Sequence, residues 1–130
     1  MKLLIATIAI ALTFAMTATA QTPEFLTVKH TKQGYAKKSK LKIKFLEVVE
    51  DSRCPEGAQC IWAGNAKIKV LIDNGTTKQE FVMNTNTGPK GDSFSGWAIY
   101  LEELSATPKT GPTIDPQLYK AKFKIVRLTR

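Results

Sequence analysis

Ala66-Lys67-Ile68-Lys69-Val70-Leu71-Ile72-Asp73-Asn74-Gly75-Thr76, running on to Phe81-Val82-Met83, decides how this chain folds. Apolar residues fall at 66, 68, 70 and 72, with Lys67 and Lys69 between them. A period of two sends successive side chains to opposite faces of an extended strand, whereas a helix needs a period near 3.6. Asn74-Gly75 then supplies two residues that tolerate positive φ, the requirement of a tight type I′ hairpin turn. Strand 66–72 is therefore expected to pair antiparallel with strand 78–83.

The same alternation recurs on both sides. Leu41-Lys42-Ile43-Lys44-Phe45 and Tyr119-Lys120-Ala121-Lys122-Phe123-Lys124-Ile125 each offer one face to a core and one to water. Phe25–Lys29 and Trp97–Leu104 complete the set; the second also fits a short helix by its spacing, and strand is preferred. Two stretches rich in Gly, Pro and small polar residues, 84–96 and 105–117, read as long loops of the kind that are either functional or mobile, and their composition favours mobility. About six or seven short strands without a long helix predict an all-β domain. The expected architecture is an antiparallel sandwich, immunoglobulin-like or Greek-key, or a partly open barrel. No internal repeat is visible.

Residues 1–20 carry Lys2, an apolar run from Leu3 to Met16 and a small-residue end, Ala18-Thr19-Ala20. That is the pattern of a secretory signal peptide. The apolar run is shorter than the roughly 20 residues a spanning helix needs, so cleavage before Gln21 is expected and no transmembrane segment in the mature chain. No cysteine precedes Cys54, so no lipid acceptor is available. The remaining residues, 21–130, suffice for a single domain. A periplasmic or secreted location follows.

Export bears on the two cysteines, Cys54 and Cys60, in Asp51-Ser52-Arg53-Cys54-Pro55-Glu56-Gly57-Ala58-Gln59-Cys60-Ile61-Trp62-Ala63-Gly64. In an oxidising compartment such a close pair is expected to form a disulfide. The chain-entropy model gives a ring this short about 2–2.5 kcal/mol. The staple therefore tunes a domain that already folds on its own core. Trp62, just beyond it, either packs on the disulfide or stands exposed as an anchor for a partner or sugar; a large ring beside a staple is more often core. Arg53 on a constrained loop also admits a protease-inhibitor reading, because preorganisation lowers the cost of binding.

The Asp-Ser-Arg-Cys-Pro run, the second cysteine and Trp62-Ala63-Gly64-Asn65-Ala66 resemble a family of small exported bacterial proteins, many of them lipoproteins. The likeness extends to an alternating strand before the motif, and to Thr107-Pro108-Lys109 followed by a strand beginning at Tyr119. It implies a β-rich fold and a bacterial envelope or secreted setting. It brings no activity and no functional residues, and this chain departs from the lipoprotein members by lacking the lipidation cysteine.

Formal charge is +8, falling to +7 once Lys2 leaves with the leader. Lys29, Lys32, Lys37, Lys38, Lys40, Lys42 and Lys44 fall in a stretch without acids, and Lys120, Lys122, Lys124, Arg127 and Arg130 form a second basic end. Lys40, Lys42 and Lys44 are expected to share one strand face, as are Lys120, Lys122 and Lys124. Like charges directly opposed repel, so these rows should either neighbour acidic strands or spread into a basic face for an anionic envelope component. Nucleic acid is not an expected partner: the chain is exported and carries no binding motif.

Catalytic chemistry finds little support. His30 is the only imidazole, it sits among lysines, and the cysteines are expected to be bonded. Glu102-Glu103 are adjacent and should point to opposite faces of a strand, unlike a glycosidase pair. Zinc and copper sites need more ligands than are present. Glu50, Asp51 and Glu56 offer oxygen ligands for calcium, but Asp51 and Ser52 are better explained as caps of the turn. The sequence thus points to an exported, non-catalytic binding or accessory module without cofactor or metal, partnered by an anionic envelope component or another exported protein. The rival reading is a small protease inhibitor or hydrolase working from the 51–64 and 84–96 loops.

Overall fold

The computed structural model describes residues 21–108 and 114–129. Residues 1–20, where a signal peptide is expected, residues 109–113 of the 105–117 loop, and Arg130 lie outside them. Alternation does what it predicts: Leu41, Ile43 and Phe45 are buried on one face of their strand, as are Ala66, Ile68, Val70 and Ile72, and Ala121, Phe123 and Ile125. The described strands are β1 (Glu24–Lys29), β2 (Gln33–Ala36), β3 (Leu41–Asp51), β4 (Ala66–Asp73), β5 (Lys78–Asn84), β6 (Gly91–Phe94), β7 (Trp97–Ser105) and β8 (Lys120–Arg127). A single 3₁₀ turn, Pro116–Leu118, precedes β8.

These strands form two antiparallel four-stranded sheets, ordered β1-β8-β7-β6 and β2-β3-β4-β5. The protein is an all-β sandwich whose sheets do not close into a barrel. Sequence neighbours are also spatial neighbours, with β1 alone joining out of turn beside β8. The connections are therefore up-and-down, without the crossover of a Greek key or an immunoglobulin-like sandwich. Phe45, Ile43, Ile68 and Ile72 from one sheet meet Phe123, Ile99 and Ile125 from the other, all fully buried. Each such side chain contributes roughly 1.5–3 kcal/mol by leaving water.

Two strands escaped the sequence reading. β2 and β6 are four-residue edge strands. An edge strand this short turns one or two apolar side chains inward, here Ala36 and Phe94, and two points cannot establish a period. With β6 occupying Gly91–Phe94, the supposed 84–96 loop shrinks to its first half. The hairpin between β4 and β5 forms as expected, with Asp73 opposite Lys78. Its turn is longer than type I′: only Gly75 adopts positive φ (93°), and the Asn74 carboxamide oxygen accepts from the Thr76 and Thr77 N–H groups at 2.9 and 2.7 Å. A two-residue turn with both φ positive occurs instead at Ser95-Gly96, between β6 and β7.

Trp97–Leu104 is a strand, with a bulge between Leu101 and Glu103. The bulge leaves Leu101 and Leu104 buried and both Glu102 and Glu103 exposed. The expectation that these two carboxylates point to opposite faces assumed unbroken alternation, which an extra residue interrupts.

Candidate functional site

At the end of β3 the chain leaves the sheet for the 51–64 loop, and its first residues turn inward. The Arg53 guanidinium donates through Nε to Asp51 Oδ1 at 2.9 Å and through Nη2 to Asp51 Oδ2 at 2.8 Å. It also donates to the backbone carbonyls of Leu104 and, at 2.6 Å, Ala106, beyond β7. Tyr119, at the entry to β8, donates its hydroxyl to Asp51 Oδ2 at 2.8 Å. The cluster thus joins the end of β3 to both β7 and β8 of the facing sheet. Burial alone would raise the Asp51 carboxyl, but the bonds from Arg53 and Tyr119 outweigh it and hold the group below its ordinary value. Burial, then the hydrogen bond to Asp51, pushes the Tyr119 phenol up to about 12. Arg53 is consequently not presented to a protease: its side chain is 15% exposed and its donors are engaged within the fold.

The loop closes on itself at a neck. Ser52 N donates to Asn65 O at 2.7 Å, and the Ser52 hydroxyl both donates to that carbonyl and accepts from Asn65 N. Gly64 makes the neck possible, since at its φ of 70° a Cβ would lie 2.0 Å from Ser52 O. The Cys54–Cys60 disulfide closes the ring above, with the two Cα atoms 5.9 Å apart. Glu56 N donates to Pro108 O at 2.7 Å and pins the ring to the segment after β7.

Past the staple the loop turns outward. Ile61 is 95% exposed and Trp62 69% exposed. Core packing, the reading favoured by proximity to the staple, is overturned by that exposure. Trp62 instead lines an open cleft of about 460 Å³ together with Glu50, Ser52 and Lys67. The remaining boundary comes from Asn84, the last residue of β5, and from Asn86 and Thr87 just after it. Asn65 holds the two sides together: its Nδ2 donates to Asn84 Oδ1 at 2.9 Å, and its Oδ1 accepts from the Asn86 and Thr87 N–H groups at 2.9 and 3.0 Å. Asn84, only 4% exposed, donates its own amide to Pro89 O, and Asn86 donates to Gly64 O.

Sequence reasoning paired the 51–64 and 84–96 loops under the inhibitor or hydrolase reading, and the structure brings parts of both to this cleft, but none of Asn65, Asn84, Asn86 and Thr87 was named as a contact. The one available signal was the polar run Asn84-Thr85-Asn86-Thr87 directly after an apolar strand, which composition alone assigns to a mobile loop. In the fold it is a fixed wall.

The lysine rows are not brought together. Lys42 and Lys44 point outward from one sheet, Lys120, Lys122 and Lys124 outward from the other, so the sandwich separates them. Lys40 stands before β3 in a left-handed conformation (φ 60°) and so leaves the row. Acidic residues neighbour two of them: Asp73 lies opposite Lys42, and Glu103 opposite Lys122. Lys29 and Lys120 do oppose each other directly.

His30 packs its ring edge against Phe45, centroids 5.3 Å apart, and borders a separate hollow lined by Lys29, Thr31, Lys32 and Gln117. A hydrolytic cleft of carboxylates around His30 is thus not assembled among the described residues. Nor do three His, Cys, Asp or Glu side chains gather as a metal site among them. Asp51 is held by Arg53 and Tyr119, and Glu50 faces the Trp62 cleft. No helix among the described residues is long and apolar enough to cross a membrane. Comparison with protein-family models, with curated proteins and with solved structures finds no match for this chain.

Proposed function

We propose that this chain is a non-catalytic binding module of the bacterial cell envelope, exported to the periplasm or beyond, and that its working face is the cleft at Trp62. The observation that carries the reading is the 69% exposure of Trp62 on a loop held at both ends. An indole in water contributes nothing to the core, and large exposed apolar groups beside polar ones mark interaction sites. The neck, the disulfide and the Arg53 cluster fix the limb before any partner arrives, which lowers the entropic cost of binding. The leader-like first twenty residues and the resemblance of the cysteine motif to small exported bacterial proteins support the compartment. The partner is an envelope component or another exported protein.

Capture of envelope components on immobilised mature chain, run with wild type and Trp62→Ala at about 50 and 200 mM salt, tests this, since screening separates loose charge attraction from specific contact. The expected result is a species retained by wild type at both salts and lost by the variant. Identical retention by both proteins, or capture by wild type only at low salt, would refute a Trp62-centred module.

A further inference from the structure

We propose that the Trp62 cleft takes a neutral polysaccharide, a chain of pyranoses in the β-gluco configuration; the inference rests on the cleft being the binding face. Apart from Trp62, Ala63 and Gly64, every residue bounding the cleft carries a polar or charged side chain. The core of a protein–protein hot spot is the reverse, mostly apolar with polar groups at its rim. A β-gluco pyranose has axial C–H groups on its faces and equatorial hydroxyls round its edge. It therefore asks for one flat aromatic surface and a surround of hydrogen-bonding groups, the combination assembled here.

Charge narrows the class. Glu50 and Lys67 are register partners on β3 and β4 and are the two charged residues of the lining, so the lining carries no net formal charge. An acidic polymer gains little there. Free hydrogen-bonding capacity points the same way. Among the described residues, the Glu50 carboxylate and Lys67 ammonium are in no ion pair, the Thr87 hydroxyl has no partner, and Asn86 uses its amide N–H but not its carbonyl oxygen. These offer acceptors and donors of both kinds, as vicinal hydroxyls require. The Asn65 and Asn84 amides, by contrast, are engaged on both their nitrogen and oxygen, which sets the cleft shape without ligand. A volume of about 460 Å³, open to solvent, lies within the range of small-ligand sites and lets a chain continue past its ends.

Titration of the mature chain with hexaoses of β-1,4-linked glucose and of β-1,4-linked N-acetylglucosamine, followed by calorimetry and tryptophan fluorescence, tests the assignment. An α-1,6-linked glucose hexaose serves as the mismatched probe. At least one β-linked hexaose should bind with a Kd below about 1 mM, equally at low and moderate salt, and better than the α-linked one. Trp62→Ala should weaken it at least about tenfold and Glu50→Gln several-fold, both variants keeping the wild-type circular dichroism. Absence of binding by both β-linked hexaoses, or binding unchanged in Trp62→Ala, overturns the proposal. If the sugars fail while the envelope capture still depends on Trp62, the ligand class is wrong and the binding face stands; if Trp62→Ala alters neither experiment, both readings fall.

Discussion

The 51–64 loop has two halves of opposite character. Asp51 and Arg53 are drawn under the sandwich end, where Tyr119 joins them, while Ile61 and Trp62, eight and nine residues after Arg53, stand in solvent. Both halves carry residues that sequence reasoning ranks as candidate contacts. The inner half engages Asp51 and Arg53 within the protein, and the outer half leaves Ile61 and Trp62 mostly in water. The basic residue just before the ring is thus an anchor of the fold, and the aromatic just after it is the exposed group. The staple lies between them and lets one loop be fixed at its root and exposed at its tip.

Breaking the root should have the largest effect. Arg53→Ala leaves the part-buried Asp51 carboxylate with Tyr119 alone and two backbone carbonyls without donors, and should destabilise the domain by about 3–4 kcal/mol in chemical denaturation. Tyr119→Phe removes one hydrogen bond to a carboxylate, worth about 1.5–3 kcal/mol near neutral pH. Its pH dependence sharpens the assignment. Because the folded phenol sits above its unfolded value of about 10, its contribution is complete below that value and is lost as pH rises through about 12. The gap between wild type and Tyr119→Phe should therefore close across that interval. Asp51 behaves oppositely: its lowered folded pKa gives stability that is present above its unfolded value of about 3.9 and lost as pH falls through the folded one. The gap between wild type and Asp51→Asn should narrow in that acid range.

Removing the staple with Cys54→Ser and Cys60→Ser together should cost about 2 kcal/mol and keep the native circular dichroism, because the core does not depend on it. Trp62→Ala should have the smallest effect on folding, within about 0.5 kcal/mol, as for exposed positions generally. A destabilisation of several kcal/mol by Trp62→Ala, or none by Arg53→Ala, would erase the distinction between root and tip.

Six of the eight strands were legible: β1, β3, β4 and β8 from their alternation, β5 from the Asn74-Gly75 turn that returns the chain along β4, and β7 from an apolar run whose spacing also fitted a helix. β2 and β6 were not, being edge strands of four residues held in place by β3 and β7. The disulfide was legible from the spacing of the two cysteines together with the export expected from residues 1–20. The cleft was not, since Asn65 and Asn84 are nineteen residues apart and meet only because β4 and β5 form a hairpin. Nor was the separation of the lysine rows, which depends on β3 and β8 belonging to different sheets.

By itself, then, the sequence determined the all-β class, the central hairpin, the identity of the core face on each long strand and the pairing of Cys54 with Cys60. All of these follow from local periodicity or from short separations along the chain. Only the tertiary structure decided the up-and-down strand order, the inward turn of Arg53, the exposure of Trp62 and the polar cleft beside it. The physical reason is common to them: whether a side chain is covered depends on which distant backbone lies against it, and the carbonyls of Leu104 and Ala106 meet Arg53, while Trp62 stands 69% exposed.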